Sequence, residues 1–272
     1  AGMASQALFL ERLRDNDTSV WGRAFTTNSD ILQVQGLALA GADARLWAVG
    51  TLAGNVAWVG AFNAADGSLL GDRAFSAGGA GELRAVAVVD AADVNSDVIV
   101  AGSSGGASPD VQVRRLGGAS ALPVWSKKLV SSGIDIVHDV VIVGGVVVVV
   151  GQIGEPADAL VVGLDVTNGA TRFSQRVGTV ANDVGFFAAA TDDGSVWVGG
   201  AIDSSSVGGG VGGDLWLFTV DPRGGGVVPG GSAVVAGFTS FSDDGTTATG
   251  VAFSNSSAPP TSASISVGAA DG

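Results

Sequence analysis

Val140-Val141-Ile142-Val143-Gly144-Gly145-Val146-Val147-Val148-Val149-Val150 is the longest apolar run in this 272-residue chain, and its reading decides the fold class. A membrane-spanning helix needs about twenty apolar residues, whereas this run spans eleven and is interrupted by a glycine pair. β-Branched side chains suit a pleated strand better than a helix, and Gly-Gly suits a tight hairpin turn. The run therefore predicts two buried β-strands joined by a turn. It predicts no membrane span, despite a mean hydropathy of +0.43.

Outward from this run the chain repeats itself. An alternating apolar strand, a turn rich in Asp, Asn or Gly, and an aromatic-then-basic strand recur along the sequence. Leu8-Phe9-Leu10-Glu11-Arg12-Leu13 leads to Trp21-Gly22-Arg23, and Val56-Ala57-Trp58-Val59-Gly60-Ala61-Phe62 leads to Asp72-Arg73-Ala74-Phe75. Asp110 to Leu116 leads to Trp125-Ser126-Lys127, and Asp158 to Leu164 leads to Phe173-Ser174-Gln175-Arg176. Asp214 to Val220 is a fifth copy that lacks the aromatic-basic half. Leu13, Phe62, Leu116, Leu164 and Val220 fall 49, 54, 48 and 56 residues apart.

A second phrase, an apolar strand ending in glycine, closes each unit: Leu46 to Gly50, Val98 to Gly102, Val146 to Gly151, Val196 to Gly199, and Ser264 to Gly268. Between the two phrases lies one more apolar segment, as in Leu37-Ala38-Leu39, Ala85 to Val88, Val140 to Val143, Phe186 to Ala189 and Gly250 to Phe253. Four strands per unit of about fifty residues, in tandem, match the blade of a β-propeller, whose sheets bury together what none buries alone. Asp66-Gly67, Asn168-Gly169, Asp193-Gly194 and Asp244-Gly245 supply the hairpin turns, and no helical stripe is present.

The expectation is an all-β fold, a β-propeller of about five four-stranded antiparallel blades. It forms one domain, 1–272, from units at approximately 1–54, 55–106, 107–156, 157–213 and 214–272. The chain opens on a strand that elsewhere follows a unit's closing glycine, so its two ends are expected to complete one ring. A piece of a longer propeller is the other arrangement.

Asp158-Ala159-Leu160-Val161 with Leu164-Asp165 and Gly169, and Asp192-Asp193-Gly194-Ser195-Val196-Trp197-Val198-Gly199, resemble the bacterial β-propeller repeat family abbreviated SBBP. The resemblance touches every unit, although the chain has no tyrosine and its fifth copy is degenerate. It implies an extracellular or cell-surface location and a binding or scaffolding role, with no shared catalytic motif.

Composition narrows the function. A net charge of −13 and a pI near 4.2 disfavour phosphate-backbone partners and predict an acidic surface without nucleic-acid binding. Without cysteine there is no disulfide framework and no thiolate metal site. Ala1-Gly2-Met3-Ala4-Ser5-Gln6 shows no signal-peptide pattern, and a methionine in third place fits a processed or excised form.

Candidate sites are few. Asp15-Asn16-Asp17, Asp90 with Asp93, Asp192-Asp193-Gly194 and Asp243-Asp244-Gly245 gather oxygens but lack calcium-loop spacing; turn capping is expected, with calcium only where loops combine. His138 is the single histidine and would have to serve any Ser-His-Asp relay, with Asp135 or Asp139 nearby; a solvated loop position is expected instead. A glycosidase would need paired carboxylates, yet Glu11, Glu82 and Glu155 are the only glutamates. The glycines at 208–213 and 224–226 lack the Lys-Ser/Thr of a phosphate loop. Asn16-Asp17-Thr18 and Asn255-Ser256-Ser257 are N-glycosylation triplets placed in expected loops, at Asn16 and Asn255. Trp21, Trp47, Trp58, Trp125, Trp197 and Trp216 fall on strands, where packing between blades is expected to bury them.

These features predict a non-catalytic extracellular or cell-surface module that binds a protein or glycan through its loop faces or central channel, or joins a surface assembly. The alternative is a carbohydrate-active enzyme using carboxylates in the channel.

Overall fold

The computed structural model describes residues 8–27, 31–41, 44–75, 81–104, 106–129, 131, 133–178, 182–202, 214–223, 226–227, 234–236, 241–242, 248–249 and 253–255. All regular structure among them is β. Sheet I contains β1 (Leu8–Leu13) and β2 (Ser19–Thr27). Sheet II is β3 (Ile31–Ala40), β4 (Arg45–Leu52), β5 (Val56–Asn63) and β6 (Leu69–Phe75). Sheet III is β7 (Gly81–Val88), β8 (Val98–Ser104), β9 (Val111–Leu116) and β10 (Pro123–Leu129). Sheet IV is β11 (Ile136–Val143), β12 (Val146–Ile153), β13 (Asp158–Asp165) and β14 (Thr171–Gly178). Sheet V is β15 (Val184–Ala190), β16 (Val196–Ile202), β17 (Asp214–Asp221) and β18 (Gly226–Val227).

The valine run forms the hairpin its composition predicts. Gly144 and Gly145 turn at φ of +57° and +80°, and Val143 pairs with Val146. Each long sheet is an antiparallel meander in chain order. Sequence unit and sheet are offset by half: a unit's first two strands are the outer pair of one sheet, and its last two open the next.

Successive sheets pack face against face. Leu8, Leu10 and Phe25 of sheet I meet Trp58 and Phe62 of sheet II. Val49 and Val59 meet Leu83, Val98 and Val100 of sheet III. Ile99 and Val113 meet Val137, Val147 and Val149 of sheet IV. Val148, Val150 and Val161 meet Val196 and Val198 of sheet V. The second and third strands of sheets II to IV are therefore covered on both faces, and β12 is buried throughout. Each Val or Leu so enclosed contributes about 1.5–3 kcal/mol. The first strands β3, β7, β11 and β15 lie against one another in sequence, whereas β6, β10 and β14 have no comparable contact among the described residues. The sheets converge at their first strands and splay at their last.

An indole fixes two of these junctions. Trp21 Nε1 donates to the Ala64 carbonyl at 2.9 Å, and Trp125 Nε1 donates to the Val166 carbonyl at 3.0 Å. In both places an arginine, Arg12 or Arg115, donates to the same oxygen. The two rings lie over Gly67 and Gly169, left-handed turn glycines where a Cβ would strike the indole.

The last unit differs from expectation. Among the described residues sheet I has no inner pair. Instead β19 (Val234–Ala236), β20 (Phe241–Ser242), β21 (Ala248–Thr249) and β22 (Phe253–Asn255) pair singly with the outer strands β14, β10, β6 and β2. Phe253, expected on an inner strand, thus lies across β2, whose outer edge offers unpaired backbone groups to any extended segment. Ser264 to Gly268 lies outside the described residues.

Both end sheets present uncovered core faces. Trp197 is 42% exposed where Trp47, its counterpart in sheet II, is 1% exposed. Leu217 is 58% exposed where Val59 is fully enclosed. On sheet I, Phe9 is 51% exposed where Trp58 is enclosed. Trp197 therefore corrects the expectation of burial: Val196 and Val198 face sheet IV, and the alternation of the strand turns Trp197 to the uncovered side. Trp216 lies outside the residues whose side chains are described.

Candidate functional site

The glycine closing each unit explains a feature that only the structure reveals. A Cβ on Gly50, Gly102 or Gly151 would overlap the carbonyl oxygen of Gln33, Glu82 or Ile136 on the neighbouring first strand. That strand carries an extra residue at this point, so its backbone bulges toward the glycine. The pairing skips Gln35 between Val34 and Gly36, Arg84 between Leu83 and Ala85, His138 between Val137 and Asp139, and Phe186 between Gly185 and Phe187. Four equivalent bulges thus set Gln35, Arg84, His138 and Phe186 on adjacent first strands, where the sheets converge.

The first two of these side chains bond within their own strands, and the last two meet across sheets. Gln35 Nε2 donates to Gln33 Oε1 at 2.7 Å. Arg84 Nε is paired with Glu82 Oε1 at 2.5 Å. The His138 ring meets Phe186 edge-on, with centroids 5.5 Å apart. Burial, reinforced by the positive charge of Arg84, holds the His138 pKa below its ordinary value, against the opposing effect of a hydrogen bond that the imidazole makes to the Gln152 side chain. His138 is accordingly a strand residue, not the solvated loop residue that was expected; the bulge turns it into the convergence zone.

Neither aspartate beside it completes a relay. Asp139 Oδ1 accepts from the Val140 N–H and Oδ2 from the Ala188 N–H, both at 2.8 Å, which ties β11 to β15. Asp135 Oδ1 accepts from Ser131 Oγ at 2.7 Å and from the Gly154 N–H at 3.0 Å. Its carbonyl accepts from Ser103 Oγ at 3.0 Å, joining sheets III and IV. Burial raises the pKa of both carboxyls. A cavity of about 170 Å³ opens nearby between sheets IV and V, lined by Gln152, Glu155, Asn182 and Val184 among others.

The other sequence candidates are scattered. Glu11 is exposed on β1 and Glu155 lies in the β12–β13 turn. Asp90 and Asp93 accept from the N–H groups of Ala92 and Asn95. Asp193 Oδ1 accepts from the Ser195 N–H and from Thr191 Oγ1, and the hydrogen bonds lower its pKa to about 2. These acids cap their own turns, and among the described residues no three acidic or histidine side chains gather as a metal site would require. Asn16 is exposed in the β1–β2 turn, its Oδ1 accepting from Thr18 Oγ1 at 2.6 Å. Asn255 was expected in a loop, but its backbone extends on β22 opposite Phe25. Asp243 to Gly245, the glycines at 208–213, and Gly224 with Gly225 lie outside the described residues. The bulged row was missed because its signal, the recurring closing glycine, names the partner strand and not the bulged residue. Comparison with models of known protein families gives no match, and neither does comparison with curated protein sequences.

Proposed function

We propose that the chain is a β-propeller acting as a non-catalytic binding module for a protein or glycan in an extracellular or cell-surface setting. The row Gln35, Arg84, His138 and Phe186 carries this reading. It offers amide, guanidinium, imidazole and phenyl groups at one place, a mixture suited to recognising hydroxyl-, carbonyl- or carboxylate-bearing ligands. The carboxylates around it serve an ion pair or backbone N–H groups. Convergence of the first strands supports a radial arrangement, and the uncovered faces of sheets I and V support closure of one on the other. The SBBP-like phrases support the surface setting.

The test is an array of immobilised glycans and surface proteins probed with the full chain. Selective binding that falls about tenfold or more in Arg84→Ala supports the reading, that loss being about 1.4 kcal/mol. Turnover of an arrayed polysaccharide that disappears in Glu155→Gln overturns it in favour of an enzyme.

A further inference from the structure

The outer strands of sheets I to IV end alike. Phe25, Phe75, Leu129 and Val177 lie opposite Leu8, Ala57, Val111 and Ala159 of the neighbouring strands, and all four are buried. On the other edge the same four residues pair with Asn255, Ala248, Phe241 and Val235. From Val235 onward the chain thus meets one equivalent backbone position on sheets IV, III, II and I in turn, at intervals of six, seven and seven residues. Casual contact with an exposed edge would fix neither the register nor the interval. The recurrence marks β19 to β22 as the pieces of a belt laid along one rim.

Each contact is small, two residue pairs on β6 and β10 and three on β2 and β14. Such pairs add little to sheets whose inner strands are enclosed on both faces, but they fall where another chain could attach. An outermost strand presents a row of unpaired N–H and C=O groups, and proteins blunt such edges with charge, shortness or a covering segment. All three devices occur here. Arg23, Arg73 and Lys127 stand at one equivalent position, two residues before the belt contact. Sheet V ends, among the described residues, on the two-residue strand β18. The belt takes the last residues of the remaining edges, leaving only residues 69–73 of β6 and 123–127 of β10 uncovered.

We propose that the belt is a removable guard, and that the partner it holds off is a second copy of this chain, paired edge to edge through β2, β6, β10 or β14. Two copies of one strand set antiparallel are related by a two-fold axis, so each uncovered edge is its own complement. Lifting the belt restores seven to nine residues of continuous edge on each strand. It peels from contacts of two or three pairs, so uncovering requires no opening of the sheets themselves. The guard does not depend on what the first-strand row binds.

The test is sedimentation velocity of the full chain beside a full-chain variant carrying proline at Val235, Ala236, Phe241, Ser242, Ala248, Thr249, Ser254 and Asn255. Proline has no N–H, and successive N–H groups of a strand face opposite edges, so two prolines in a row break each contact. The parent is expected to stay monomeric. The variant, with the near-ultraviolet dichroism of its tryptophans unchanged, is expected to self-associate at a concentration at least about tenfold below any at which the parent does. Ala248→Pro with Thr249→Pro alone uncovers only β6 and is expected to give dimers and nothing larger; this milder variant also serves if the full set does not fold. Folded variants that remain monomeric would overturn the proposal, as would a parent that associates as readily as they do. Association of the parent that the prolines abolish would overturn it in favour of belts exchanged between copies. Failure of both variants to fold would overturn it too, by making the belt part of the fold itself.

Discussion

His138 shows how one inserted residue changes the chemistry of a side chain. In a regular strand its neighbours would be fixed by alternation, but the bulge between Val137 and Asp139 brings it against Phe186 and within the field of Arg84. Its folded pKa lies below its ordinary value of 6.5, so the unfolded chain binds the extra proton first as pH falls. The contribution of this residue to stability is complete above pH 6.5 and declines as pH drops below it. Asp135 and Asp139 act in the opposite sense: their raised folded pKa makes protonation favour the native state above pH 3.8. Urea unfolding at pH 7.5 and 5.5 should therefore show a loss on the acid side that His138→Gln removes. An equal loss in the variant would assign the slope to other groups.

Strands, turns and their pairing were largely legible in the sequence, because alternation and Asp-Gly or Gly-Gly turns are local signals. The valine hairpin and the strands leading to Gly50, Gly102, Gly151 and Gly199 were read from such signals alone. Bulges were not legible, since their cause is shared between two strands: Gly102 is required by where Glu82 places its carbonyl. Gly102→Ala is expected to cost about 1–3 kcal/mol, because the obstacle is backbone that cannot rotate away. Gly71→Ala, facing open space on β6, is expected to lie within about 0.5 kcal/mol of the parent. Chemical denaturation of both variants checks the contrast, and similar midpoints would remove the need for glycine at the bulge. The pairing of Phe253–Asn255 with β2 was likewise unreadable, since an exposed edge accepts many extended sequences.

For the molecule as a whole, four stacked junctions leave two core faces open, one around Phe9 and one around Trp197 and Leu217. The proposed closure brings them together. The chain has no cysteine, so Glu11→Cys with Thr219→Cys accepts two spin labels and no others. Closure is expected to give a short distance, near the roughly 10 Å spacing of packed sheets extended by the label arms. A distance spanning the whole stack would refute closure within one chain. The half-unit offset between repeat and sheet also bears on how such a chain tolerates damage and duplication. A break at a repeat boundary such as Gly54-Asn55 falls inside the β4–β5 hairpin, where eight residue pairs from Arg45–Asn63 to Leu52–Val56 still lace the pieces together. Copying one repeat in tandem inserts an intact layer without orphaning any strand, so lineages can lengthen or shorten the array while every intermediate keeps its ladders matched.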